Sequence, residues 1–169
     1  PPVTYASPQP LLPLIAVGAV VLVVVLAGPR TYAKYRSDVR ASTALRELAH
    51  AQLLLSQEEH QAALQACRRA AALAPAGSSA ATQARTALYD VLLANANRAL
   101  QNRNPALALR HATEATQLQP SKPNAYLVLG IAQYRSGDPD TGLATLETAA
   151  SLQPDSPVAR QAREAQANV

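Results

Sequence analysis

Hydrophobic and polar positions follow two different patterns along this chain. From Leu11 to Gly28, eighteen residues pass without a charge or a hydrogen-bonding side chain. Beyond about Ala44, apolar residues recur every three or four positions and are punctuated by Gly, Pro and Asn. That spacing puts the apolar residues on one face of a helix, so the second regime predicts a series of amphipathic helices. The first regime predicts a helix of about 27 Å, close to the thickness of a bilayer's hydrocarbon core. Valine and isoleucine are weak helix formers in water, but lipid forces each backbone group to bond within its own segment. Pro13 falls in the first turn, where it is tolerated. Tyr5 on one side, and Tyr32 and Tyr35 on the other, sit near the levels of an aromatic belt. A buried core helix fits poorly, because so long a run rarely fits inside a small domain. A cleavable signal peptide fits poorly too: no basic residues precede the run and no small-residue cleavage site follows it. The expectation is a single transmembrane helix over residues 11–28, preceded by a Pro-rich tail over 1–10.

Charge refines this picture. The chain carries a net charge of +4, and Arg30, Lys34, Arg36 and Arg40 against Asp38 supply most of it. A basic cluster beside an apolar segment is a topology signal before it is a nucleic-acid footprint. It implies a basic juxtamembrane linker over 29–43, a cytoplasmic C-terminal domain, an N-terminus on the opposite side, and no nucleic-acid partner. Gly28-Pro29 should break or kink the helix at the membrane surface.

The second regime contains two-helix units. In the C-terminal one, an apolar-periodic run opens at Tyr126-x2-Leu129-Gly130 and is broken by Gly137-Asp138-Pro139. A second run carries Gly142, Leu146 and Ala149 and stops at Pro154. Gly137 suits a helix end, Asp138 suits the next N-cap, and Pro139 at the first helical position loses no hydrogen bond. The unit recurs: Pro75, Pro120 and Pro154 are 45 and 34 residues apart. The same offsets relate Ala51, Ala96 and Gly130; Ala63, Ala108 and Gly142; Ala70, Ala115 and Ala149; and the larger Cys67, Ala112 and Leu146. Small residues at these places let paired helices approach closely. The 45-residue step exceeds 34 by eleven residues, or three turns, so an insertion extends a helix without rotating its apolar face. One long helix from about Ser79 to Asn102 is therefore expected, overhanging the stack by about 16 Å. Asn104-Pro105 starts its partner.

A 34-residue period with this pattern of small residues, a larger residue and a closing proline resembles the tetratricopeptide (TPR) repeat over about Ala44 to Ser156. Tyr126 stands where that family usually has Trp, and Gln133 where it usually has Tyr. The resemblance implies a right-handed α-solenoid of about three TPR-like hairpins, so that with the apolar run read above the chain is expected to be all-α: a single transmembrane helix followed by that solenoid. These would occupy 44–77, 79–122 and 123–156 of a domain over 44–156, with a capping helix over 157–169 to cover the last apolar side.

Catalytic chemistry is not indicated. The chain has no Gly-rich phosphate loop, no Cys/His cluster at metal spacing, and no serine or cysteine in a nucleophile context. His50, His60 and His111 are scattered over different helices and read as surface or packing residues, and Glu58-Glu59 as a solvated turn. The single Cys67 excludes an internal disulfide. The expectation is a protein that is not an enzyme and uses no cofactor or metal. In TPR stacks the first helix of each hairpin lines a concave groove. Its counterparts here are Leu48, Gln52 and Leu55; Leu93, Asn97 and Leu100; and Leu127, Ile131 and Tyr134. Six aliphatics, one tyrosine and two amides suit an amphipathic helix or an extended apolar peptide. They do not match the basic clamp by which some TPR proteins hold a C-terminal carboxylate. Alternatively the long helix or the end helix fills the groove and makes it core.

Together these features imply a membrane-anchored interaction module with protein partners, an adaptor, assembly factor or accessory subunit of a larger membrane complex. By association with other anchored TPR proteins, its setting would be a bacterial inner membrane or an equivalent energy-transducing membrane. Two rival readings stand beside it. One is an outward-facing, chaperone-like holder of secreted or cytochrome precursors. The other is a structural subunit of a respiratory or photosynthetic complex held mainly by its span.

Overall fold

The structure, a computed structural model, describes the backbone of residues 12–167 and the side chains of residues 28–167. Among the described residues the chain is all-α, with seven helices and no strand: α1 (Leu12–Ser56), α2 (His60–Leu73), α3 (Ser79–Gln101), α4 (Pro105–Leu118), α5 (Pro123–Arg135), α6 (Pro139–Leu152) and α7 (Pro157–Ala167). It divides into two compact units, with the boundary between Arg40 and Ala41.

In the first unit, α1 is interrupted at Gly28, whose φ of 75° and ψ of 168° leave helical space immediately before Pro29. Only glycine reaches that conformation cheaply, which is why the Gly-Pro pair breaks the helix. The span expected over 11–28 ends at this break, and its side chains lie outside the described residues. Among the described residues no helix is long and apolar enough to cross a membrane.

The second unit is a solenoid of hairpins. The C-terminal part of α1 pairs with α2, α3 with α4 and α5 with α6, and α7 closes the stack. Local sequence sets the hairpin boundaries. The Ser78 hydroxyl accepts from the Ala81 amide at 3.1 Å, Asn104 Oδ1 from Leu107 at 3.1 Å, Asp138 Oδ1 from Thr141 at 3.2 Å, and Ser156 from Ala159 at 3.1 Å. Each satisfies one of the donors orphaned at a helix start. Pro105, Pro139 and Pro157 follow at the first helical position.

The turn inside each hairpin needs one residue in left-handed space. Glu58 has φ 62°, Arg103 φ 54° and Gly137 φ 92°, and the three are separated by the repeat offsets of 45 and 34 residues. Only the third turn uses the residue that tolerates this conformation without crowding its Cβ.

The small-residue columns form the seam of every hairpin. Ala51 is 2 % exposed, and Ala63, Ala70, Ala96, Ala108, Ala112, Ala115 and Ala149 are fully buried. In the third hairpin the approach is closest. A Cβ on Gly142 would lie 2.9 Å from both the Gly130 carbonyl oxygen and the Tyr134 amide nitrogen, and one on Gly130 would lie 2.8 Å from Leu146 Cγ. Cys67 and Leu146 fill the larger slot at 1 % exposure each.

The three extra turns of α3 do not overhang the stack. Ala80, Ala84 and Leu88 are 1, 0 and 5 % exposed, and Ala84 and Leu88 join one cluster with Leu48, Ala51, Leu64 and Cys67 of the first hairpin. An eleven-residue insertion keeps the apolar stripe in phase, so the added turns find cover along α1 and α2 rather than solvent. Arg85 ties them to α4, their partner within the same hairpin, by donating to the Leu118 carbonyl at 2.8 Å. Between α2 and α4, Arg68 donates through two nitrogens to both carboxylate oxygens of Glu114, a fork geometry that links the two second helices at the surface.

Two glycine substitutions of opposite sign test this geometry. Glu58→Gly and Arg103→Gly relieve left-handed strain, so each should raise unfolding stability by about 0.5–1 kcal/mol after the entropic cost of glycine. Gly142→Ala pushes a methyl into backbone that has no rotamer to escape to. It should cost about 1–2 kcal/mol, the overpacking penalty outweighing the gain in helix propensity. Urea unfolding followed by circular dichroism reads all three.

Candidate partner-binding groove

The first helices of the hairpins carry the nine groove positions, because the four-then-three spacing in Leu48, Gln52 and Leu55 and its equivalents keeps each set on one helix face. The structure divides these residues between two clefts. One, of about 570 Å³, lies between α1 and α3 and is lined by Leu48, Gln52 and Leu55 facing Thr86, Ala87 and Asp90. The other, of about 940 Å³, lies between α3 and α5 and holds Asn97, Leu100 and Ile131. Gln52 and Asn97 are exposed, whereas Leu48 and Leu100 are 9 and 8 % exposed and act as floor.

Leu93, Leu127 and Tyr134 line neither cleft. Leu93 packs against the clusters of both the first and second hairpins. Leu127 and Ile131 pack against Leu146, Ala159 and Ala162, so α7 covers part of the face that the third hairpin was expected to leave open. The apolar side of a terminal unit must be buried by something, and the short Ala-rich α7 is thin enough to dock there. Tyr134 brings its backbone to the seam, where a Cβ on Gly142 would lie 2.9 Å from its amide nitrogen.

The clefts also contain charges that the nine positions omit. Arg103 and Arg135 line the α3/α5 cleft, and Arg135 donates to the Leu100 carbonyl at 3.3 Å. Asp90 and Leu45 line the α1/α3 cleft. The sequence signal for most of these was the same helical face carried one turn further: Leu45 lies three residues before Leu48, and Arg135 four after Ile131. Arg103 had no such signal, since its left-handed turn alone brings it to the cleft. The groove is thus a pair of apolar-floored clefts, one with an acidic rim and one with a basic rim.

Among the described residues no group of three or more His, Cys, Asp or Glu could hold a metal ion. Cys67 is buried, and burial pushes its thiol pKa up, away from the reactive thiolate. His50 is exposed, His60 is half-buried and His111 is buried, each on a different helix.

Comparison with known proteins agrees with the architecture. Residues 93–157 match the family model described as Tetratricopeptide repeat. Among solved structures, the C-terminal TPR-containing domain of an FK506-binding protein from Plasmodium falciparum is similar, with a TM-score of 0.56 at 18 % identity. The likeness covers 78 % of this chain and 91 % of that domain. At that identity it speaks to the fold alone. No curated protein gives a significant match. The chain therefore has a TPR-like fold, and its second and third hairpins carry the matching repeat.

Proposed function

We propose that this protein is a membrane-anchored interaction module, an adaptor, assembly factor or accessory subunit that holds a protein partner within a larger membrane complex. The observation that carries this reading is the pair of clefts with apolar floors and exposed amide teeth at Gln52 and Asn97. Such a surface suits an amphipathic helix or an extended segment, with floor residues giving affinity and amides giving register. Leu11 to Gly28 supplies the anchor in this reading, and confinement to the bilayer raises the effective concentration of membrane-bound partners, so modest cleft affinity suffices. The basic residues after Pro29 favour a cytoplasmic position for the hairpins. The structural-subunit alternative draws on the third hairpin, where α7 already occupies the surface around Leu127 and Ile131.

A photo-crosslinking residue at position 52 or 97 should yield discrete protein adducts in native membranes. One at exposed Arg160 on α7 should yield none. Because these positions are solvent-facing, unfolding stability should stay within about 0.5 kcal/mol of the parent. The absence of adducts at both cleft positions would sink the groove reading. For topology, the unit beginning at Ala41 should be digested by protease added to inside-out vesicles and protected in right-side-out ones. The reverse pattern establishes the outward-facing holder, and release of the chain by alkaline carbonate removes the anchor.

A further inference from the structure

The two clefts between first helices carry charge of opposite sign. Among the described residues, Asp90 is the one charged side chain lining the α1/α3 cleft, and Arg103 and Arg135 are the two lining the α3/α5 cleft. All three are exposed, and among the described residues none enters an ion pair, whereas Arg68 and Arg69 are paired with Glu114 and Glu47. The bond from Arg135 to the Leu100 carbonyl uses one nitrogen of a group with five N–H donors. Arg103 stands in left-handed space where the third hairpin has Gly137, so a cation is kept beside this cleft at a backbone cost that glycine would spare. One helix joins the two clefts. Gln83, Thr86, Asp90, Asn97 and Gln101 share one exposed face of α3, the first three lining the α1/α3 cleft and the last two the α3/α5 cleft. From Asp90 to Gln101 is eleven residues, about 16 Å along the axis, and Arg103 follows just past the end of α3.

We infer that one extended segment of a partner protein crosses α3 from cleft to cleft, presenting a basic residue to Asp90 and, four or six positions away, an acidic residue to Arg103 and Arg135. The inference rests on the groove reading above and gives its occupant a charge pattern and a spacing. Charge complementarity decides the class of occupant. A polyanion is repelled at Asp90, a purely basic segment is repelled by the two arginines, and an uncharged one compensates neither cleft. The first ten residues of this chain carry no charged side chain, so they complement neither cleft themselves. Spacing follows from geometry. An extended chain rises about 3.3 Å per residue, so four to six residues cover about 13–20 Å, and even spacings keep both charges on one side. The amides favour an extended chain over a helix. Exposed Gln52, Gln83, Asn97 and Gln101 each offer donors and an acceptor, which an extended backbone can meet and an internally bonded helix cannot.

The test titrates libraries of blocked peptides, about twelve residues long, onto the full 169-residue chain in nanodiscs of uncharged lipid, read by fluorescence polarisation. Four libraries share the same apolar and small residues. They carry Lys and Glu six positions apart, Lys and Glu eleven positions apart (one face of a helix), two Glu six positions apart, or no charge, with Lys–Glu in both orders. The first library should bind about tenfold tighter than the others, and its advantage should shrink as salt rises from about 50 to about 300 mM. Asp90→Lys should transfer the preference to the two-Glu library. Arg103→Gln and Arg135→Gln should each remove about threefold or more of the advantage, and melting temperatures should stay near the parent's because all three residues are exposed. The inference is overturned if charge pattern makes no difference, or if Asp90→Lys leaves the preference unmoved. It is equally overturned if the eleven-spaced peptides bind tightest and turn helical by circular dichroism, or if peptides bind only once a dimer of the chain dissociates, so that a second copy holds the clefts. Failure of every library to bind overturns it too. In each case photo-crosslinking at positions 52 and 97 judges the groove reading on its own, so the two can fail separately.

Discussion

Close approach of two helix backbones inside each hairpin is the constraint on which this structure rests. The seam is built from side chains of one carbon or none, with Ala63, Ala96 and Ala108 fully excluded from water and Gly130 set directly against Gly142. Few large side chains are available to fill a core. The largest fully buried ones are Leu64, Leu92, Leu146 and Cys67. Stability must therefore come from many short-range dispersion contacts along tightly packed helices, which fall off steeply if the helices separate. The third hairpin carries this furthest and gains close contact; the first two use alanine pairs and sit under the same rule with slightly more room.

That constraint explains how the chain absorbs an eleven-residue departure from its period. A seam of small residues reads the same after three full turns, so the longer α3 stays in phase with α1 and α2 and gains buried contacts at Ala80, Ala84 and Leu88. The extension deepens the cleft between the first helices instead of projecting from the stack. The same logic places strain at the turns. Short connections between tightly paired helices force one residue into left-handed space, and Glu58 and Arg103 accept a conformation that Gly137 adopts freely.

Surfaces follow from the stacking. First helices meet across apolar-floored clefts with polar rims, and the second helices α2 and α4 are linked at the surface by Arg68 and Glu114. Because the repeat leaves an apolar side bare at its end, α7 docks on Leu127 and Ile131 and narrows the exposed groove to the first two hairpins and the edge of the third. Among the described residues no cluster could hold a metal ion, and the clefts between first helices present apolar floors, amides and a few charges.

Local features were decided by the sequence alone. Proline after an Asn or Asp cap, glycine at a helix end, and small residues at fixed offsets act through neighbouring backbone, so helix starts, the Gly28 break and the seam columns follow from residue type and spacing. The length of α3 was readable for the same reason, since phase along one helix is a local property. What tertiary structure decided was everything that depends on which faces meet. The cover over the α3 extension, the capture of Leu127 by α7, and the arrival of Arg103 and Arg135 at a groove read as uncharged all require knowing how one helix lies on another. Asn95 and His111 make the point most clearly. Their identity was visible in the chain, but only packing shows that each is buried with an atom unpaired, because burial is a property of neighbours and a repeat pattern specifies only the average neighbour.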